Sequence, residues 1–168
     1  AELCIGSMKE AVRKDMKESD SAIRLWDCCL ERQAQINNLT AWNLFSLHGH
    51  NAHFTVTGDE GDISSLCCCK WHDWCHFREK KEKFPFTKEL LGRVLVPAKG
   101  AGNEMCQWIL KDNGQVVPRR TVRPLQTDEL HAAHEIKKRN IYDALIEKRW
   151  GNTINPPRTN SKIWCAKR

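Results

Sequence analysis

Residues 90–125 read LLGRVLVPAKGAGNEMCQWILKDNGQVVPRRTVRPL, and the placement of turn-formers in this stretch decides the fold class. Leu90 to Val96 is dense in apolar and β-branched residues, a composition that suits a buried strand. Gly100, Ala101 and Gly102 supply a flexible turn. Cys106–Leu110 and Gln115–Val117 then flank Lys111-Asp112-Asn113-Gly114, where Asn-Gly offers two positive-φ positions for a tight hairpin. Pro118 has no amide hydrogen for a ladder, so its strand belongs at an edge or bulge. Arg119, Arg120 and Arg123 follow and cannot all be buried; they are expected to face water or a polyanion.

Upstream the periodicity changes to that of helices. Ile5, Met8, Val12 and Met16 form an apolar stripe over residues 2–18. Ser19-Asp20-Ser21 breaks it and caps a second helix over about 22–39, with Ile23, Trp26, Leu30, Ala34 and Ile36 expected inward. Residues 40–66 read as irregular, with one short helix around Ala41–Leu47. Trp71–Phe77 reads as a strand with Trp71, Cys75 and Phe77 on one face and Trp74 on the other. The mixed charges of Arg78–Lys83 read as a solvated loop, which Phe84-Pro85-Phe86 anchors. A third helix is expected from Thr127 or Asp128 to Trp150, with a possible break. Its inward stripe is predicted as Leu130, Ala133, Ile141, Ala144 and Leu145, and Gly151 stops it. The Pro- and Lys/Arg-rich end reads as a linker or disordered tail.

The net charge of +6 is unevenly spread. From Gln115 onward there are 12 Lys+Arg against 5 Asp+Glu, whereas residues 1–114 hold 15 against 16. The positive charge is thus a C-terminal property, which suits a polyanionic partner for that half. No run approaches the roughly 18 apolar residues of a membrane span, so no membrane partner is expected. Nine cysteines, an odd number, with no apolar leader before them point to reduced thiols inside the cell, in nucleus or cytoplasm. Cys67-Cys68-Cys69 to Cys75-His76 concentrates zinc-type ligands, but they crowd into ten residues rather than forming two separated pairs. Opening on Ala1 instead of Met suggests a fragment or processed piece.

A Gly-rich turn, a strand, a DNGQ hairpin, a Val-Val strand and an Arg-Arg-Thr-Val run resemble the region downstream of the integrase core in copia-type retrotransposon polyproteins. Two further stretches agree in order. Thr57-Gly58-Asp59-Glu60-Gly61-Asp62-Ile63-Ser64-Ser65-Leu66 is similar to that family's Gly-x-x-Pro-Asp-Ile-Ser-x-Leu signature, with Gly61 at the usual Pro position. Ala1-Glu2-Leu3, leading into a Lys/Arg-rich helix, resembles the element that carries the last catalytic carboxylate of a DDE integrase.

The resemblance covers roughly residues 1–157 and implies an α+β chain. Residues 1–66 would be the helical end, a hairpin remnant, of a ribonuclease-H-like core. Residues 67–126 would be a small antiparallel β-barrel-like domain, 127–151 a basic helix and 152–168 the linker or tail toward reverse transcriptase.

The function implied is DNA integration, with DNA and the rest of the integrase/reverse transcriptase polyprotein as partners. Two Mg²⁺ ions held by three carboxylates would carry the chemistry in the intact integrase. By the resemblance Glu2 would be a vestigial third of those carboxylates. The other two are aspartates that would lie upstream, so this stretch alone binds no cofactor and is not expected to catalyse. The DNA-binding residues implied are Lys9 and Arg13 on the first helix, Arg119, Arg120 and Arg123 on the basic strand, and Lys137 and Lys138 on the last helix. They would position the DNA backbone and not read bases. Two other classes fit parts of the pattern: a stand-alone nucleic-acid or chromatin-binding module, and a zinc-binding interaction protein built on Cys67 to His76.

Overall fold

The computed structural model describes residues 2–41, 47–79, 89–98 and 105–150, and of residues 2–4 the backbone only. Within them the chain is α+β. Helix α1 (Glu2–Glu18) leads through a 3₁₀ turn (Ile23–Leu25) into α2 (Trp26–Leu39), α3 (Ala52–Thr57) and α4 (Ser64–Cys67). Strands β1 (Trp74–Arg78), β2 (Glu89–Pro97), β3 (Gln107–Lys111), β4 (Val116–Arg119) and β5 (Val122–Pro124) follow. Helices α5 (Thr127–His131) and α6 (Ala133–Trp150) complete the order. The expectations placed on Gly100–Gly102, on Phe84-Pro85-Phe86, on most of Ala41–Leu47 and on the tail lie outside the described residues.

The five strands form one antiparallel sheet in the order β4-β3-β2-β1-β5. Strands β1 to β4 make a meander, and β5 returns to the free side of β1, with Arg123 opposite His76. Pro118 sits on edge strand β4, where a missing amide hydrogen costs no ladder bond. The β3–β4 turn differs from the expected Asn-Gly pair of positive-φ residues: only Gly114 is left-handed, at φ 72°. Gly114 donates to Lys111 O at 2.9 Å and Lys111 donates to Gln115 O at 2.9 Å. That is a three-residue loop whose final glycine forms a bulge.

Each sheet face has its own apolar cluster. Cys69, Cys75, Phe77, Val94 and Ile109 fill one. The other joins Ala22, Leu25 and Cys29 to Trp71, Leu95, Leu110 and Tyr142, with Val12, Met16, Trp74 and Trp108 packed on it. This second cluster runs across the sequence-based boundaries near 66 and 126. Trp108 packs as a core residue and Trp74 lies opposite Cys75 and Phe77, but Trp71 joins the Trp74 side from the preceding turn.

Two helices are rotated from the predicted phase. In α2 the buried positions are Cys29, Arg32, Gln35 and Leu39, while Ile23 and Trp26 are exposed. The 3₁₀ turn winds tighter than an α-helix and so advances the face that follows. In α6 the buried residues are Glu135 and Tyr142, with Ile146 and Trp150 against the core, whereas Ile141 and Leu145 face outward. The helix is interrupted at Ala132, which adopts ψ 127° between α5 and α6, and not at Lys137 or Lys148, through which α6 runs unbroken. Segment 40–66 holds two short helices where irregular chain was expected. Asn51 Oδ1 accepts the Phe54 amide at 2.7 Å to start α3, and Gly58 ends it at φ 78°.

Candidate nucleic-acid interface

The basic strand was expected to present three arginines together, and their surroundings separate them. Arg119 is half-buried. Its Nη1 donates to Pro118 O at 2.9 Å, its guanidinium lies 5.9 Å from the Phe77 ring centroid, and its buried Nε has no partner among the described residues. Arg120 is exposed and, among the described residues, forms no ion pair.

Arg123 is committed elsewhere. Nη1 and Nη2 donate to the two Glu129 oxygens at 2.7 and 2.9 Å, and Glu89 lies 3.6 Å from Nη2. Glu129 also accepts the Gln126 amide at 2.9 Å as the third residue of α5's capping box. The Arg123 fork and that amide pull the Glu129 carboxyl from 4.5 to about 2, and Glu129 in turn raises the Arg123 guanidinium. A fork engaged in this way is already paired with carboxylate, which sets Arg123 apart from Arg120.

On α1, Lys9 and Arg13 are both exposed, and Lys17 continues them at the next helical step. On α6, Lys137 is exposed, but Lys138 Nζ lies 2.6 Å from Glu135 Oε1 and neutralises a carboxylate that is only 4% exposed. The other Glu135 oxygen is 3.7 Å from buried His76 Nε2, and exposed His134 lies 3.5 Å from the first. Lys138, itself exposed, is thus paired with a buried carboxylate.

Glu2 begins α1, but its side chain lies outside the described residues. Among the described residues no group of three His, Cys, Asp or Glu side chains could hold a metal ion, so no catalytic step through Mg²⁺ is derived. The zinc alternative finds no ligand set there either. Cys69 and Cys75 are core residues, and Cys67 and Cys68 are exposed. His72 Nδ1 contacts Ser19 O at 3.3 Å, and His76 faces Glu135.

No protein-family model, curated protein or solved structure matches this chain.

The sequence reading missed one cleft, of about 890 Å³, between the end of α1, α2 and the 70–74 turn. Arg32 lines it, almost wholly buried, and donates from Nη2 to Leu66 O at 3.1 Å and Cys69 O at 2.6 Å. Burial lowers its guanidinium. Arg93 stacks over Trp74 at 3.4 Å to the ring centroid. The lining cations Arg32, Lys70 and Arg93 are matched by Asp15, Glu18 and Asp73, so the cleft has no single sign with which to select an anion. An arginine at an inward helical position was the one available signal, and it was obscured by the shifted phase of α2.

Proposed function

We propose that this chain is a DNA-binding part of a copia-type integration apparatus, holding the DNA backbone without base readout. The observation that carries this reading is the path from β4 to β5. Arg119 pairs through Gln107 to Pro97 at one end of β2, whereas Val122 pairs through Phe77 to Leu90 near the other. In a flat sheet those residues would stand about 30 Å apart, from roughly 4.8 Å per strand and 3.3 Å per residue. Three residues of chain reach at most about 11 Å. Such a sheet must roll strongly, which supports a small barrel-like β-domain with exposed Arg120 at its corner.

Helices α1 and α2 are read as the end of a ribonuclease-H-like core, with Lys9 and Arg13 as further phosphate contacts and Lys137 as a peripheral one. The site of action is inside the cell, with the remaining polyprotein supplying the two aspartates. Mg²⁺ belongs to that intact assembly.

Fluorescence anisotropy with duplex DNA across a salt series tests the reading. Each phosphate contact adds about 0.9 to the slope of log K against log salt. Arg120→Ala is expected to lower the slope by about 0.9 and Lys9→Ala/Arg13→Ala by about 1.8, while Arg123→Ala leaves it unchanged. Identical slopes for all four proteins would remove these cations from the interface.

A further inference from the structure

Helix α6 docks through a mixed face, on which polar groups stand beside Ile146 and Trp150. Glu135, Arg139 and Tyr142 face the sheet: Glu135 lies 3.7 Å from His76, the Arg139 guanidinium lies 5.9 Å from the Trp74 ring centroid, and Tyr142 donates to Leu110 O at 2.8 Å. The outward face carries Ile141 at 62% exposure and Leu145 at 44%, with exposed Ala144 between them. Lys137 precedes this apolar turn by one helical step, and Lys148 and Arg149 follow it, all exposed. The carboxylates of α6 are elsewhere. Glu135 is buried beneath Lys138, Asp143 pairs with Arg93 at 3.3 Å, and Glu147 lies about 120° around the helix from Ile141 and about 160° from Leu145.

We infer that this face is a docking surface for an acidic amphipathic helix of a partner protein. Two aliphatic side chains one turn apart are the anchors that a helix-on-helix contact requires. DNA has no apolar surface along its phosphate backbone to cover Ile141 and Leu145. A second copy would set the same patch against itself, so Lys137, Lys148 and Arg149 would meet like charges. A membrane-bound helix needs an apolar face much longer than one turn. Carboxylates flanking aliphatic residues on the partner complete both the charge and the apolar contact. This goes beyond the DNA-binding proposal and shares only Lys137 with it.

The test uses a three-heptad helical peptide with Leu at positions a and d and Glu at e and g, labelled for anisotropy against the full chain. Binding is expected to weaken roughly tenfold or more for Ile141→Ser/Leu145→Ser and for Lys137→Glu/Lys148→Glu. The second variant is also expected to gain binding to the matching peptide with Lys at e and g. Because all four side chains are exposed, circular dichroism melts should match the wild type. The inference is overturned if the acidic peptide does not bind, if both variants bind it unchanged, or if the wild type prefers the Lys peptide. It is equally overturned if the two aliphatic residues instead govern dimer formation in sedimentation or binding to anionic vesicles.

Discussion

Tyr142 Oη donates to Leu110 O at 2.8 Å, while its ring meets the Trp74 ring edge-on at 5.1 Å between centroids. One side chain thereby ties α6 to β3 and β1. It also sets the rotation of α6, because the hydroxyl reaches that carbonyl only when Glu135 and Ile146 turn inward and Ile141 turns out.

Tyr142→Phe keeps the ring packing but leaves the Leu110 carbonyl without this donor, at a cost of about 1–3 kcal/mol. Urea denaturation should show a lower midpoint with an unchanged slope. A midpoint equal to the wild type would mean that the hydroxyl bond adds nothing.

Gly92 on β2 lies tight against side chain and backbone of β3 and the Phe77 ring of β1. A Cβ there would fall 2.6 Å from Ile109 Cγ2, 2.9 Å from Leu110 O and 3.0 Å from Phe77 Cε1. Overpacking of this kind costs about 1–3 kcal/mol, so Gly92→Ala should lower the thermal midpoint measurably. An unchanged melt would show that the two strands can part without penalty.

Acid should destabilise the fold in two overlapping windows. Burial, and then the Arg93 charge, push the His72 imidazole from 6.5 to about 3. Glu129 is held at about 2, below 4.5, first by Arg123 and then by the Gln126 amide. Both groups have folded values below their unfolded ones, so the unfolded chain binds the proton more tightly. Stability is therefore complete above the unfolded values and falls with pH, from 6.5 toward about 3 for His72 and from 4.5 toward about 2 for Glu129. Denaturation curves at stepped pH should show the upper window flatten in His72→Gln and the lower one in Glu129→Gln. Arg123→Ala should move the Glu129 carbon-13 titration back toward 4.5.

Thiol labelling at neutral pH should divide the cysteines. Cys67 and Cys68 are exposed and are expected to react in the native protein. Burial raises the Cys29 and Cys69 thiols to about 12 and drives Cys75 higher still, so these three should react only after unfolding. Mass spectrometry after a timed pulse of alkylating reagent distinguishes the two groups. Native-state labelling of Cys75 would contradict the closed core.

The hairpin at Lys111–Gln115, the edge position of Pro118 and helix α1 were legible in the amino-acid order. Each depends on neighbours within a few positions: a glycine at φ 72°, a missing amide hydrogen, a stripe repeating every three or four residues. Helix α3 was legible too, from Asn51 at its start and Gly58 at its end, but those two signals were passed over. The inward sides of α2 and α6, and the separation of Arg120 from Arg123, were decided only by tertiary structure. Cys29 is buried against Leu95 and Trp71, Tyr142 finds its acceptor 32 positions earlier, and Arg93 finds Asp143 50 positions later. Local chemistry specifies which segments become helices and strands. Whether a given cation is paired depends on which carboxylates the fold brings within reach, as near as Glu129 is to Arg123 or as far as Asp143 is from Arg93, and hydrophobic periodicity carries no record of that.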